Sequence, residues 1–235
     1  MKKKIAALSM AACMAASVTA CGGSKPAETT AAATEAETTA AESAAEESSA
    51  EETKAAADIE TVTPGKLTVA TSPDFAPYEF YAIGEDGTPK LAGFDMDLAQ
   101  YIADYLGLEL EVVTVDFDGV ISELQTKSVD LGMAGLSPDE KRMGIMDFSD
   151  LYYMGGQSLV TVKDNAEKYN SFEAINKPDV SVGAQVGSIQ MDLANENSPE
   201  ADIVGLPKVT DIISELLTGK MDAAYIETDV AKSYQ

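Results

Sequence analysis

Hydrophobic and polar positions along residues 64–235 alternate in the manner of an α/β fold. Short apolar stretches predict buried strands, and segments with apolar residues three or four positions apart predict helices between them. In the first half the predicted strands are 66–70, 108–115 and 129–135, and the predicted helices are 94–107 and 118–126. Strands that alternate with helices in this order are typical of a parallel sheet with helices on its faces.

The stretch between the first strand and the first helix predicts a hairpin, because YEFYAI and KLAG flank a turn at Glu85, Asp86 and Gly87. The helix that follows is expected to end at Gly107. Its apolar residues recur at helical spacing and predict one apolar face that packs on the sheet. That face comprises Phe94, Leu98, Tyr101, Ile102 and Tyr105.

The same alternation returns in the second half of the chain. The predicted strands there are 179–185, 201–207 and 221–227, and the predicted helices are 188–197 and 209–219. Two such units in series, joined by an extended segment, predict two lobes at 64–155 and 156–235, each a mostly parallel sheet flanked by helices. Ligands collect at the carboxyl ends of such strands, so a ligand cleft is expected between the lobes.

Residues 1–20 predict an export signal, because three lysines precede an apolar run that is too short to remain in a bilayer as a helix. The segment SVTA before Cys21 resembles the bacterial lipobox, which implies a lipid on Cys21; an incidental cysteine after ordinary cleavage is the alternative. Residues 21–63 are rich in Ala, Glu, Thr and Ser and predict a disordered acidic tether. We therefore expect a protein anchored to the outer face of a bacterial cell membrane, or a periplasmic one.

The composition excludes several kinds of chemistry. The chain has no histidine, and of its two cysteines Cys13 lies in the predicted signal. No disulfide, thiol nucleophile or cysteine metal site is then expected in the folded part, and the commonest general base and metal ligand is missing. We expect no metal and no cofactor. The net charge of -24 also opposes binding to nucleic acid.

Arg142 is the only arginine in the chain, beside fifteen lysines. A guanidinium matches a carboxylate with two parallel hydrogen bonds, although a composition that favours lysine could also leave one arginine by accident. Polar and aromatic residues follow the other predicted strand ends, among them Glu227, Phe75 and Phe117. A cation, a carboxylate and two aromatic rings at one cleft suit a zwitterion with a side chain.

Several motifs occur in an order that resembles the polar amino-acid solute-binding proteins of bacterial ABC importers. They are VATSPDFAPYEF, LAGFDMDLAQYIADYLG, VDFDGVISELQTKSVDLGMAGLSPDEKR, MDFSDLYY, VGAQVGSIQMDLA and MDAAYIETDVA. The resemblance covers nearly all of residues 64–235. It implies a two-lobed periplasmic-binding-protein-like fold and a monomer, not an enzyme, that captures an amino acid and delivers it to the transmembrane permease of an importer.

The resemblance also implies roles for single residues in binding the ligand carboxylate. Arg142 matches the arginine that binds this carboxylate, and Ser137 matches a Ser or Thr that contacts the same ligand. Gly135 is implied to offer its backbone. Ser188, at the start of a predicted helix, matches a Ser or Thr at the carboxylate in the second lobe.

The remaining ligand contacts are implied in the same way. Glu227 matches the acidic residue that receives the α-ammonium group, and Phe75 and Phe117 match the rings that sandwich the ligand side chain. Ser72 stands where several relatives place an aspartate that selects basic or amide ligands, so the side-chain preference stays open. The lobes are implied to close by bending near residues 150–157.

Two alternatives remain open at this point. Some proteins of this fold are dehydratases or lyases, for which Glu79 or Glu227 would be the candidate proton donor. Others are ligand-sensing input modules of receptors. The resemblance further implies that relatives continue beyond the position of Gln235, so the second lobe is expected to lack its C-terminal part.

Overall fold

The structure, a computed structural model, describes residues 59–235. Its first sheet has β1 (Lys66–Thr71) at the centre, parallel to β5 (Glu109–Thr114) on one side and to β6 (Leu131–Gly132) on the other. The helices α1 (Phe94–Tyr105) and α2 (Phe117–Gln125) connect these strands, and a short helix α3 (Glu140–Met143) follows β6. The strand order and parallel pairing agree with the fold predicted for the first half, although β6 is shorter than predicted.

Helices cover both faces of this sheet, because side chains of β1 alternate between two buried clusters. Leu67 and Val69 pack with Met96, Ala99 and Ala103 of α1. On the opposite face, Ala70 packs with Phe117 and Val120 of α2 and with Val129 and Ala134 on either side of β6. The carboxyl ends of β1, β5 and β6 therefore lie side by side at one edge.

The apolar face predicted for α1 was partly wrong. Phe94, Tyr101 and Tyr105 are exposed, with 44, 66 and 58% of their surface accessible. The face that packs on the sheet instead contains Met96, Ala99 and Ala103, supported by Leu98 and Ile102. The small side chains of the two alanines let the helix lie close to β1 and β5, which rotates the larger aromatic residues outward.

A separate antiparallel sheet contains the predicted hairpin. It comprises β2 (Asp74–Phe75), β3 (Glu79–Ile83) and β4 (Pro89–Ala92), in the order β2-β3-β4. Residues 84–88 form the turn, closed by a hydrogen bond from the Gly84 N–H to the Thr88 carbonyl. This sheet directs Asp74 and Phe75 toward the edge at which β1 ends.

The second half of the chain forms a four-stranded sheet of order β7-β10-β8-β9. Its strands are β7 (Gln157–Val160), β8 (Ser181–Gln185), β9 (Asp202–Leu206) and β10 (Ala223–Glu227), and only β7 is antiparallel. Its helices are α4 (Phe172–Ile175), α5 (Ile189–Asn197), α6 (Val209–Leu217) and α7 (Thr228–Ser233), with a 3-10 turn at Lys163–Asn165. We call β1–β6 with α1–α3 lobe one, and β7–β10 with α4–α7 lobe two.

The predicted signal, Cys21 and most of the predicted tether lie outside the described residues. Within the described part, Val62 near the end of that tether donates its backbone N–H to Asp130 of lobe one at 2.7 Å. The domain boundaries stay predictions. Among residues 59–235, no helix has the length and apolar character needed to cross a membrane.

Candidate functional site

Arg142 is buried at the carboxyl edge of lobe one, with 6% of its surface exposed. Its Nη1 donates to the Ser137 carbonyl at 2.7 Å, and its Nη2 donates across the cleft to the Gly187 carbonyl of lobe two at 3.0 Å. The guanidinium carbon lies 5.6 Å from the ring centroid of Phe117. With Nε held by Asp139, one N–H on each terminal nitrogen remains available to a ligand.

Asp139 fixes this guanidinium in two ways. It is the N-cap of α3, where its Oδ1 accepts the Arg142 backbone N–H at 2.8 Å, and its Oδ2 lies 3.2 Å from the Arg142 Nε. Burial lowers the pKa of Arg142 below its usual value, while Asp139 opposes that shift. A guanidinium starts from so high a pKa that it stays charged, and the site therefore presents a fixed cation.

Glu227 provides a carboxylate from lobe two. It ends β10 and caps α7, where its Oε2 accepts the backbone N–H groups of Asp229 at 2.7 Å and Val230 at 2.9 Å. Its Oε1 is buried, and no donor in residues 59–235 reaches it. A Cβ on Gly155 would collide with this oxygen, so glycine there leaves the room that Glu227 needs. A buried anionic oxygen without a donor is costly, and a ligand cation would satisfy it.

Two adjoining cavities contain these charged groups. The larger, of about 110 Å³, is lined by Glu227 together with Tyr78, Tyr152 and Tyr153. The smaller, of about 20 Å³, has both Arg142 and Glu227 in its wall. The residues that line both are Phe75, Gly135, Ser137, Gln157 and Glu227. A guanidinium and a carboxylate from different lobes thus line the same cavity.

The structure brings six of the eight predicted ligand contacts to this space. They are Arg142, Glu227, Ser137, Gly135, Phe75 and Phe117. Gly135 has a positive φ of 56°, and a Cβ there would lie 2.9 Å from the Phe75 ring. Glycine is therefore required for Phe75 to cover the end of β6. The ligand-binding roles of these residues stay predictions.

Two predicted contacts, Ser72 and Ser188, do not line these cavities. The Ser188 hydroxyl donates to the Gln185 carbonyl at 2.7 Å and accepts the Met191 N–H at 3.3 Å, so it caps α5. The Ser72 hydroxyl donates to Asp74 at 2.8 Å and faces a separate open pocket of about 860 Å³. Both hydroxyl groups are engaged by protein atoms.

Three glutamines that the sequence did not single out belong to the smaller cavity: Gln157, Gln185 and Gln190. Gln190 donates to the side chain of Gln157 at 2.8 Å. Gln157 pairs with Glu227 in the β7–β10 register, and Gln190 lies in the first turn of α5. The sequence offered two signals for them: Gln157 begins the strand beside Glu227, and Gln190 follows Ser188 by two residues. A neutral amide side chain in a single sequence does not by itself indicate a binding site.

A pair of buried carboxyl groups supports the cleft from below. Glu79 and Asp95 are both fully buried, and their carboxyl groups interact. Asp95 accepts the Gly135 N–H at 2.9 Å and the Tyr152 hydroxyl at 3.0 Å. Burial, and then the charge of Asp95, raise the pKa of Glu79 well above its usual value; burial also raises the pKa of Asp95. Glu79 lines neither cavity, so a ligand bound in these cavities would not be in contact with this candidate proton donor.

Comparison with known proteins decides the family. The sequence profile of the bacterial extracellular solute-binding proteins, family 3, matches residues 67–232. The chain belongs to this family. Its members are extracellular or periplasmic, and the two-lobed α/β architecture described above is the periplasmic-binding-protein fold of its structural relatives.

Two relatives illustrate the similarity within this family. An arginine-binding extracellular protein of Bacillus subtilis is 36% identical over 171 residues, which span 72% of this chain and 64% of that protein. A crystal structure of an amino acid ABC transporter substrate-binding protein from Streptococcus pneumoniae, bound to L-arginine, is 39% identical with a TM-score of 0.69. That likeness covers 72% of this chain and 70% of the other. The family member described here therefore spans about two thirds of the length of the B. subtilis relative.

The family also has a catalytic relative. A cyclohexadienyl dehydratase of Pseudomonas aeruginosa is 30% identical over 158 residues, which cover 67% of this chain and 58% of the enzyme. The B. subtilis and S. pneumoniae binding proteins have higher identity to this chain. Similarity within this solute-binding family thus extends to an enzyme.

Proposed function

We propose that the protein captures a free amino acid outside the cytoplasm and delivers it to the permease of an ABC importer. The observation that carries this proposal is the smaller cavity, where Arg142 of lobe one and Glu227 of lobe two meet. A free α-amino acid carries one carboxylate and one ammonium group and complements this pair. The family membership and the amino-acid-binding relatives support the same function.

In the proposed complex the ligand carboxylate accepts hydrogen bonds from the two remaining Arg142 N–H groups and from Ser137. The α-ammonium group donates to the free Oε1 of Glu227. The ligand side chain extends between Phe75 and Phe117 or into the larger cavity beside the tyrosines. Because the two charged residues belong to different lobes, the ligand connects the lobes, and closure depends on occupancy.

We also propose the cellular setting. A lipid on Cys21 would hold the protein at the membrane, and residues 21–63 would let it reach a neighbouring permease. The protein would act as a monomer that carries its ligand without changing it. The two aromatic rings, the buried guanidinium and the unpaired carboxylate oxygen support a binding role, and Glu79, the candidate proton donor, lines neither cavity.

A thermal-unfolding screen tests this function. The twenty common L-amino acids, ornithine and cystine are each added at millimolar concentration. At least one is expected to raise the midpoint clearly, because a ligand at 100 times its dissociation constant adds about 2.7 kcal/mol to the free energy of unfolding. L-arginine is the first probe, since the B. subtilis relative is an arginine-binding protein by name and the S. pneumoniae structure contains bound L-arginine. A screen with no shift for any ligand contradicts the proposal.

Turnover separates a carrier from an enzyme. The ligand that gives the largest shift is incubated with the protein and followed by NMR. Its spectrum is expected to stay unchanged over hours at stoichiometric protein. Loss of water or of the amino group from the ligand would instead assign the protein to the dehydratases and lyases.

A further inference from the structure

Asp74 makes a buried charged contact between the lobes and lines neither cavity itself. It belongs to β2 in lobe one and is buried, with 8% of its surface exposed. Its Oδ2 accepts the backbone N–H of Val209 at 2.5 Å and the Gln185 Nε2 at 3.3 Å, both from lobe two. Its Oδ1 accepts the hydroxyl of Ser72 at 2.8 Å, which holds the carboxylate in orientation.

The partner of Asp74 is the start of a helix. Val209 is the first residue of α6, which has nine residues, so its N–H has no partner within the helix. A carboxylate is favoured at this end by the helix dipole, and hydrogen bonds to a charged acceptor are about twice as strong as neutral ones. Removing Asp74 would leave that N–H buried without an acceptor.

Other charged contacts between the lobes are weaker. Lys141 and Asp192 pair at 3.2 Å, but their side chains are 81 and 62% exposed. Lys208 and Asp116 are 3.8 Å apart and about half exposed. Pairs that are this exposed contribute little. The bond from Arg142 to the Gly187 carbonyl uses a neutral acceptor and belongs to the ligand cavity.

From this arrangement we infer that Asp74 is a positioning residue that stabilises the closed arrangement of the two lobes without touching the ligand. We call its contact with Val209 and Gln185 the latch. Asp74 and Phe75 are consecutive in β2, so their side chains point to opposite sides. Phe75 lines the ligand cavities and also packs in one buried cluster with Val209. On the opposite side of β2, Asp74 accepts the backbone N–H of Val209 at the start of α6. The latch sets the fraction of closed protein before any ligand binds, and thereby scales the apparent affinity for every ligand.

The experiment measures lobe closure in unliganded protein, so its outcome is independent of the proposed function. Spin labels are placed on Gln100→Cys in α1 and Glu196→Cys in α5, two exposed sites, with both native cysteines replaced by serine. The unliganded protein with Asp74 intact is expected to show a closed population. In Asp74→Ala the ratio of closed to open protein is expected to fall about tenfold. Asp74→Asn, which keeps one acceptor, should lie between the two.

Asp116→Asn is the matched control, because it removes a carboxylate from the exposed contact with Lys208. Its ratio should stay within about twofold of the parent, as expected for an exposed pair. If Asp74→Ala does not fold, the ratio of closed to open protein in Asp74→Asn alone tests the latch. Equal ratios in the parent and Asp74→Asn, an equal effect of Asp116→Asn, or a parent protein that is open throughout would each overturn the latch.

The pH dependence of closure distinguishes a charged latch from mere packing. Burial raises the pKa of Asp74, while Lys208 before α6 lowers it and Asp116 before α2 raises it. Glu79 on β3 and Tyr234 after α7 are the other titratable groups close to it. Acid therefore protonates Asp74 earlier than an ordinary carboxylate, and the closed fraction should fall with acidification. Asp74→Asn should lose this dependence, and its persistence in that variant would refute the assignment.

Discussion

Glu227 in lobe two and Glu79 in lobe one are both buried glutamates with side-chain oxygens that no donor reaches. Their surroundings differ. Glu227 lines both cavities, and two backbone N–H groups at the start of α7 stabilise one of its oxygens. Glu79 lies beneath the cleft, and the charged group that acts on it most strongly is the carboxyl group of Asp95.

This difference assigns opposite roles to two residues that look alike in the sequence. Two backbone N–H groups hold one oxygen of Glu227, and the other oxygen faces a space that a cation can enter. Glu79 has no such donors, and burial together with the charge of Asp95 favours its protonated form. Glu227 is therefore suited to bind a ligand ammonium group, and Glu79 to support the Gly135 and Tyr152 contacts of Asp95.

The largest expected effect follows from removing the charge of Glu227. Glu227→Gln should weaken amino-acid binding by about 2 to 4 kcal/mol, since it deletes one partner of a buried charge pair. The free energy of unfolding without ligand should stay the same or rise, because an unpaired buried charge is removed. Calorimetric titration and urea unfolding measure the two quantities.

Glu215→Gln is a suitable control for that variant. Glu215 pairs with Lys220 on the far side of α6 at 3.1 Å and touches neither cavity. It should bind ligand as the parent does. Equal affinity in Glu227→Gln and Glu215→Gln would remove Glu227 from the binding site.

The cation should show the next largest effect. Arg142→Ala is expected to lose about 1.5 to 3 kcal/mol of binding free energy, the value of charge-assisted hydrogen bonds, and Arg142→Lys should regain only part of it. Lys141→Ala removes the neighbouring exposed charge and serves as the control. Calorimetry that finds parental affinity in Arg142→Ala would refute the role of the guanidinium.

A smaller effect, on stability alone, is expected for Glu79. Its pKa is raised in the folded protein, so its contribution to stability is complete below the unfolded pKa and is lost as pH rises toward the folded value. Glu79→Gln keeps the shape of the side chain and cannot titrate. Between pH 5 and pH 8 the parent should therefore lose more stability than the variant, by about 1 kcal/mol or more.

Urea unfolding at several pH values measures this difference. Ligand affinity of Glu79→Gln should stay close to that of the parent, in contrast to Glu227→Gln. If the free energy of unfolding has the same pH dependence in the parent and the variant, Glu79 does not have a raised pKa in the folded protein. A large loss of affinity would show that it belongs to the binding site after all.

Much of the fold was predictable because strands and helices alternate and their polar patterns are regular. The strands β1, β8 and β10 and the helices α5 and α6 fall where the periodicity placed them. The face of α1 was not predictable from apolar spacing alone, since two faces of that helix carry apolar residues. Close packing on the sheet selected the one with Ala99 and Ala103.

The candidate site was less accessible to sequence reasoning. Arg142 and Glu227 were identified through their charge, their positions after predicted strands and the family resemblance, and all three features can be read from the sequence alone. Ser72 and Ser188 were identified through strand ends and resemblance, yet their hydroxyl groups bond to nearby protein atoms. Whether a short polar side chain faces a ligand or its own backbone depends on local geometry that no spacing rule fixes.

The most direct test of the central claim couples a change in the protein to a change in the ligand. Calorimetry compares L-arginine with its des-amino analogue, δ-guanidinovalerate, in the parent protein and in Glu227→Gln. If Glu227 holds the α-ammonium group, loss of that group should weaken binding strongly in the parent and much less in the variant, a coupling of about 1.5 kcal/mol or more. Equal losses in both proteins would contradict the claim that Arg142 and Glu227 grip opposite ends of one amino acid.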